Sequence, residues 1–199
     1  MSIKNLFCKF AINYIFIILL ASNLYSQTLY ITNIEKQDNF VNIELNKILE
    51  IYNLKLSFAN EKYSIIVPKY QGKVSNYNYF SFLNKDFKDK IINSISKNMI
   101  EQVNNDTNND IKYKLNKFNI INSKTLKATF SIIFNDLFEV NATVMNGKNG
   151  FWVQWPSLKQ QNNKWKKLFI IKDKTLKNAI EKDILNKYNK DILNDKYKK

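Results

Sequence analysis

Neither histidine nor arginine occurs among the 199 residues, and the chain has one cysteine, two prolines and three glycines. Without histidine, Ser-His-Asp and Cys-His catalytic arrangements and imidazole metal ligands are excluded. The single Cys8 cannot form an internal disulfide. Carboxylates alone can support acid/base chemistry, but no pair is singled out by its spacing. We therefore predict a protein that is not an enzyme and has no cofactor, metal site or small-molecule substrate.

The composition is that of a folded, strongly basic protein, with 45% hydrophobic residues, 14% aromatic residues and a formal net charge of +14. Such a charge favours an acidic partner, either nucleic acid or an anionic membrane surface. All basic residues are lysines. Lysine contacts phosphate as a point charge but lacks the bidentate fork with which arginine reads guanine. Nucleic-acid binding would therefore rely on the phosphate backbone and on shape.

Residues 1–26 have the layout of a secretory signal peptide. Lys4 and Lys9 precede an apolar run that ends at Leu20, and small and polar residues follow up to Ser26. The run is short for a spanning helix and is interrupted by Asn13. This pattern predicts export to the periplasm or cell envelope, with cleavage near Ser26. The alternatives are an uncleaved anchor or a buried core helix, with the protein in the cytoplasm.

The remainder of the chain has the pattern of a tandem repeat. Residues 46–68 and residues 135–156 both read as two alternating segments that are joined by a polar turn and closed by proline. The apolar positions of a following helix then recur at an offset of about 89 residues. We predict a first unit at residues 27–100, a linker at residues 101–112 and a second unit, with a lysine-rich tail, at residues 113–199. A chance match of low-complexity sequence is the alternative.

Hydrophobic periodicity predicts an α+β fold in which each unit is an antiparallel sheet of four to five strands followed by one helix. In the first unit we predict strands at 29–34, 40–45, 50–58, 63–67 and 79–83 and a helix at 86–99. In the second unit we predict strands at 113–121, 126–134, 137–145, 151–155 and 165–171 and a helix at 175–188. The sequence leaves open whether the lysine-rich tail extends this last helix.

The segment between Asn146 and Gly150 reads as a hairpin turn, because asparagine and glycine adopt positive φ at low cost. We predict that both Gly147 and Gly150 serve this turn and that Pro156 ends the following strand, since proline has no N–H to donate. Alternation places residues 151, 153 and 155 on one face of that strand and residues 152 and 154 on the other. One face is expected to be core, while the other is a candidate contact surface.

FNDLFEVNATVMNGKNGFWVQWPSLK, followed by KWKK and IEKDILNKY, resembles the stage V sporulation protein G (SpoVG) family. The shared pattern is a strand, a Gly-x-x-Gly turn, an aromatic strand ending in Pro-Ser, an aromatic-basic strand and a helix. The resemblance is strongest over residues 113–188. Residues 28–100 resemble the family only faintly, because the turn at residues 59–62 lacks both glycines.

The resemblance implies a small dimeric regulator that binds DNA or RNA, is linked with septation and sporulation, and has no enzymatic activity. Position by position, it assigns phosphate contacts to Lys159, Lys166 and Lys177. Departures from the family pattern occur at Leu158, Lys167 and Ile171. With neighbouring lysines included, the candidate nucleic-acid-binding residues are Lys159, Lys164, Lys166, Lys167, Lys174 and Lys177, although a run of lysines is usually only a solvated face.

Two tandem units could imitate the family dimer within one chain, and self-association through sheet edges is a further possibility. The predicted leader conflicts with the cytoplasmic location that the resemblance implies. The second functional hypothesis is therefore an exported envelope module that uses the same fold to bind a protein or surface ligand.

Overall fold

In the described residues of the first half of the chain, seven strands are followed by a helix. The structure is a computed structural model that describes residues 28–71, 76–102, 111–160 and 163–196. The predicted leader at residues 1–26 lies outside the described residues, as does most of the predicted linker. The elements of this first unit are β1 (Ile31–Gln37), β2 (Phe40–Leu45), β3 (Leu49–Ala59), β4 (Lys62–Ile66), β5 (Lys69–Gln71), β6 (Asn76–Asn78), β7 (Phe80–Phe82) and α1 (Lys85–Lys97).

The second unit has the same order of elements, and the fold is α+β with antiparallel sheets, as predicted. Its elements are β8 (Tyr113–Ile120), β9 (Leu126–Phe134), β10 (Phe138–Gly147), β11 (Gly150–Gln154), β12 (Ser157–Lys159), β13 (Trp165–Lys167), β14 (Phe169–Ile171) and α2 (Lys174–Lys196). The short strands β5, β6 and β12 were not predicted.

The two units exchange their last strands. The first sheet has the order β1-β2-β3-β14, and β4 pairs with the far end of β3. The second sheet contains β8-β9-β10, with β7 and β11 pairing with opposite ends of β10. Phe80 pairs with Val140, and Phe169 pairs with Ile51 in the equivalent register. Each sheet is therefore completed by a strand of the other unit.

The exchange explains why the strand predicted at residues 165–171 is two strands in different sheets. Leu168 lies at the crossover, where its main-chain N–H bonds to the Pro156 oxygen and its oxygen accepts a bond from the Tyr52 N–H, both at 2.8 Å. Tyr79 makes the equivalent bonds in the first unit, to Pro68 and Asn141. Leu168 and Phe169 are both buried, so burial does not alternate at the crossover, but the sequence alone does not show which sheet each segment joins.

Equivalent hairpin turns connect β2 to β3 and β9 to β10. Asn46 and Lys47 have φ values of 52° and 59°, and Asn135 and Asp136 have values of 49° and 56°. Two successive positive φ values are typical of the type I′ turn that matches strand twist. In each turn the buried asparagine also accepts a hydrogen bond from the main-chain N–H just before the unit's first strand. These asparagines therefore fix both the turn and the strand entry.

Both helices begin at a side-chain cap and bury one apolar stripe. Asn84 accepts a hydrogen bond from the Phe87 N–H at the start of α1, and Asp173 accepts bonds from two N–H groups at the start of α2. Helix α2 continues to Lys196, eight residues beyond its predicted end. An ion pair between Lys187 and Asp191 supports this extension. The buried stripes are Phe87, Ile91 and Ile95 in α1 and Ile180, Ile184 and Tyr188 in α2.

A cluster of aromatic rings joins the two units in one core. Phe169 of β14 lies 5.6 Å from Phe134, 5.5 Å from Trp155 and 6.3 Å from Phe80 of β7, measured between ring centroids. Phe134 and Phe138 stack at 5.3 Å. Large buried rings contribute about 2–3 kcal/mol each to stability. The exchanged strands therefore carry much of the shared core.

Candidate nucleic-acid interface

Strands β12 and β13 form a two-stranded ribbon that carries three of the six candidate lysines. Lys159 pairs with Trp165, and Lys167 pairs with Ser157. Directly opposed residues of an antiparallel pair share a face, and successive residues alternate between faces. One face of the ribbon therefore presents Lys159, Trp165, Ser157 and Lys167. We call this the Lys-Trp face.

Lys166 lies on the opposite face of the ribbon, where it pairs with Leu158. Its side chain is half-buried, and its Nζ donates a hydrogen bond of 2.8 Å to Oδ1 of Asn53 in the first unit. Lys166 thus links the ribbon to β3. This arrangement separates it from Lys159 and Lys167, although all three were predicted as one set.

The other candidate lysines lie in the loop before β13 and at the start of α2. Lys164 precedes β13 and is exposed. Lys174 is an exposed residue in the first turn of α2, while Nζ of Lys177 lies 3.1 Å from Glu181 Oε1. That carboxylate also accepts a 2.7 Å hydrogen bond from Nε1 of Trp155. The charge of Lys177 is therefore partly balanced within the chain, whereas the ribbon offers exposed lysines on a single face.

An aromatic cleft of about 360 Å³ lies beside the ribbon, between the two units. Tyr70, Tyr77 and Tyr79 line it from the first unit, and Trp155 and Trp165 line it from the second. The Tyr70 and Tyr77 rings stack at 4.8 Å, and Tyr79 is edge-on to both. The described residues that line the cleft include no carboxylate. We call this cavity the aromatic cleft.

Burial raises the pKa of two tyrosine hydroxyls in the cleft. Burial, with a smaller contribution from Tyr77 and Tyr70, raises the pKa of Tyr79 to about 12. Burial also raises the pKa of Tyr77. The Tyr79 hydroxyl donates a hydrogen bond to the main-chain oxygen of Ser157. The described residues that line the cleft carry no ionic side chain and offer aromatic rings, hydroxyl groups and amides.

Residues 109–190 match the family model for SpoVG. This segment is a SpoVG domain. The matched range contains β8 to β14 and most of α2. The match does not include the first unit, whose kinship to the family stays a prediction. No curated protein and no solved structure matches the chain significantly.

The glycine turn of the SpoVG domain differs from the prediction in one respect. Gly150 has a φ of 100°, so it needs the conformational freedom of glycine. Gly147 does not have positive φ. A Cβ atom at Gly147 would lie 2.7 Å from Cζ3 of Trp152, so this glycine makes room for the indole ring. Turn chemistry therefore explains Gly150, and close side-chain approach explains Gly147.

The strand after this turn packs one face only from Val153 onward, since Phe151 at its start is still 40% exposed. Val153 is buried, Trp155 packs against Phe169, and Phe151 lies edge-on to Tyr188 at 4.9 Å. Trp152, on the other face, is 43% exposed. Strand β11 ends before Pro156, as predicted. The main-chain oxygen of Pro156 then accepts a hydrogen bond from the N–H of Leu168, the crossover residue of the SpoVG domain.

Sequence reasoning missed the aromatic cleft because its tyrosines lie in the first unit. The run YNYF at residues 77–80, with Tyr70 upstream, was the available signal. The equivalent positions of the SpoVG domain are occupied by Leu158, Lys166 and Leu168. An internal comparison of the two units would therefore have shown that the tyrosines are specific to one of them.

In residues 28–71, 76–102, 111–160 and 163–196, no helix is long and apolar enough to cross a bilayer. In the same ranges, no group of three or more acidic or cysteine side chains is arranged to hold a metal ion.

Proposed function

We propose that this chain is a regulatory protein that binds nucleic acid through the Lys-Trp face of the ribbon. The SpoVG domain supports a regulatory, non-enzymatic role. The observation that carries the finer proposal is the arrangement of Lys159 and Lys167 on one exposed face together with Trp165. Among the described residues, neither lysine has an ion-pair partner within the chain. Both ammonium groups are therefore available to phosphate oxygens.

The alternative reading of these lysines is a solvated surface, since lysines occur throughout this basic chain. The two readings differ in where charge removal matters. If the basic surface is diffuse, replacing any pair of lysines should lower the affinity for nucleic acid equally. A localised interface would respond to Lys159 and Lys167 and not to lysines on other elements.

The test is the salt dependence of binding to a fluorescent oligonucleotide, measured by anisotropy for wild type and two double variants. Each phosphate contact with a single strand contributes about 0.7 to the slope of log K against log salt. We expect Lys159→Gln with Lys167→Gln to lower that slope by about 1.4. The matched control replaces the exposed Lys36 and Lys62, on β1 and β4, with glutamine. Equal losses in both variants, or no binding by the wild type, would contradict the proposal.

Septation or sporulation control is the physiological role that we propose from the family, with DNA or RNA as the partner. Deleting the gene and measuring septum position and the transcripts that change would test it. A deletion strain with unchanged septation and unchanged transcripts would refute this role, whatever the binding assays show.

An envelope binding module is the second candidate, favoured by the predicted leader and by an uncharged cleft that contains aromatic rings and the amides of Asn141 and Gln154. Such a surface also suits a neutral envelope ligand. Fractionation of the native cells with amino-terminal sequencing decides between the two. A new amino end near Gln27 in an envelope fraction would favour the module, and an intact Met1 or Ser2 in the cytosol would favour the nucleic-acid regulator.

A further inference from the structure

The aromatic cleft has one fixed wall and one accessible wall. Trp155 is held by its hydrogen bond to Glu181 and by ring contacts with Phe130 and Phe169. Trp165 is 64% exposed, and none of the described aromatic rings packs against it. An exposed indole beside a preformed pocket retains its ring face for a ligand. Trp165 is therefore the ring with which an incoming planar group would stack.

The first unit supplies the opposite wall as a preformed stack. Tyr70 and Tyr77 are cross-strand partners in β5 and β6, and their rings lie at an interplanar angle of 26°. Tyr79 is anchored through its hydroxyl to the second unit. The tyrosine rings are therefore already ordered before a ligand binds, which lowers the entropic cost of binding.

Charge identifies the chemistry of the ligand. The described residues that line the cleft carry no charge, but Lys159 and Lys167 share the ribbon face with two of them, Trp165 and Ser157. Aromatic surfaces that accept a base, next to cations that accept phosphates, are the common arrangement in single-strand binding proteins. A duplex buries its base faces by stacking and cannot offer them to such a cleft.

We propose that the aromatic cleft takes an unpaired nucleobase of a single-stranded nucleic acid, while Lys159 and Lys167 contact the adjoining phosphates. This inference rests on the proposed function and specifies its substrate as single-stranded. The equivalent region of the second unit has Leu158 and Lys166 in place of the stacked tyrosines. There, Lys166 donates a hydrogen bond to Asn53. Each chain therefore holds one such cleft among its described residues, and one base-binding site per chain is expected.

The experiment compares three fluorescent probes of equal length on the full chain: an oligothymidylate, the same strand with abasic residues, and a duplex. Stacking a base on an aromatic side chain is worth about tenfold in affinity or more. We expect the oligothymidylate to bind about tenfold more tightly than the abasic strand. We also expect Trp165→Ala to remove that preference and Trp165→Phe to retain part of it.

Phe58→Ala is the matched control, because Phe58 is 62% exposed and lies on β3 outside the cleft. It should leave the preference unchanged. Tyr70→Ala tests the opposite wall independently, since Tyr70 is 42% exposed and its replacement does not empty the core.

The outcomes separate this inference from the proposed function. If oligothymidylate and abasic strand bind equally, or if both Trp165→Ala and Tyr70→Ala keep the preference, the cleft does not bind bases, while nucleic-acid binding itself stands. If none of the three probes binds, the proposed function fails. Saturable quenching of tryptophan fluorescence by a neutral oligosaccharide, without a response to oligothymidylate, would overturn the inference in favour of a carbohydrate site.

Discussion

The hydroxyl group of Tyr79 in the first unit donates a hydrogen bond to the main-chain oxygen of Ser157 in the second unit, with 3.0 Å between the two oxygens. The bond is buried and connects residues far apart in the chain. It therefore fixes the ribbon of the SpoVG domain against the tyrosine wall of the aromatic cleft.

Because the pKa of Tyr79 is raised, the free energy of unfolding should depend on pH in the alkaline range. The pKa is about 12 in the folded chain and 10.0 in the reference state. The contribution of this group is therefore fully present below pH 10 and is lost as pH rises towards 12, by roughly 3 kcal/mol at most. Tyr79→Phe should cost about 1–2 kcal/mol below pH 10, because the Ser157 oxygen loses its donor.

Denaturant unfolding between pH 9 and pH 12 checks this prediction. The stability difference between wild type and Tyr79→Phe should shrink as pH rises through that window. A difference that stays constant over the whole window would show that burial does not perturb this hydroxyl.

The two glycines of the β10–β11 turn should respond differently to alanine. Gly150→Ala places a side chain at positive φ and should destabilise by about 1–2 kcal/mol. Gly147→Ala should cost less than about 1 kcal/mol, since the partly exposed Trp152 ring can move away from the new methyl group.

A double-mutant cycle with Trp152→Ala separates the two mechanisms. In the Trp152→Ala background, Gly147→Ala should become nearly neutral, whereas Gly150→Ala should keep its full cost. Rescue of Gly150→Ala by Trp152→Ala would mean that both glycines act through the indole.

Phe169→Ala should destabilise both units together. Phe169 is nearly fully buried, sits on the exchanged strand β14 and contacts rings from both halves. A buried Phe→Ala change costs about 3–5 kcal/mol. Hydrogen exchange should show increased exchange in β2 and β9 alike, while the exposed Phe58→Ala should leave both protected. Increased exchange confined to the SpoVG domain would argue against a shared core.

The strand exchange predicts that the full chain is a monomer of 23.6 kDa in light scattering. Residues 109–199 alone would leave β14 without its partner β3, and we expect that fragment to associate through its unpaired strands. A homodimer mass for the full chain would contradict the first expectation. A stable monomer of the fragment would contradict the second.

Local sequence patterns predicted the long strands and the helix stripes well, since alternation and four-residue spacing report which face is buried. Strands 40–45 and 126–134 have the predicted bounds. The short strands β5, β6 and β12 were not predicted, because strands of three residues are too short to show a hydrophobic period. The strand exchange was not predicted, because Phe80 pairs with Val140, which is distant in the chain, and local sequence patterns do not report such pairing.

The candidate site was predictable only in part, for a related reason. The SpoVG resemblance pointed to the segment that the family model also matches, and the lysines of β12 and β13 share a ribbon. The resemblance could not show that Lys166 lies on the opposite face from Lys159 and Lys167, because this depends on which face of the ribbon contacts Asn53. The aromatic cleft required knowledge of both units at once.

Strand exchange between halves of one polypeptide also changes how the fold responds to dilution. When two separate subunits complete each other's sheets, the sheets come apart as the protein becomes scarce. Here both partners are covalently joined, so each exchanged strand meets its acceptor at a fixed effective concentration. The fold, and with it a cleft built from both halves, therefore persists even when only a few copies are present in a cell.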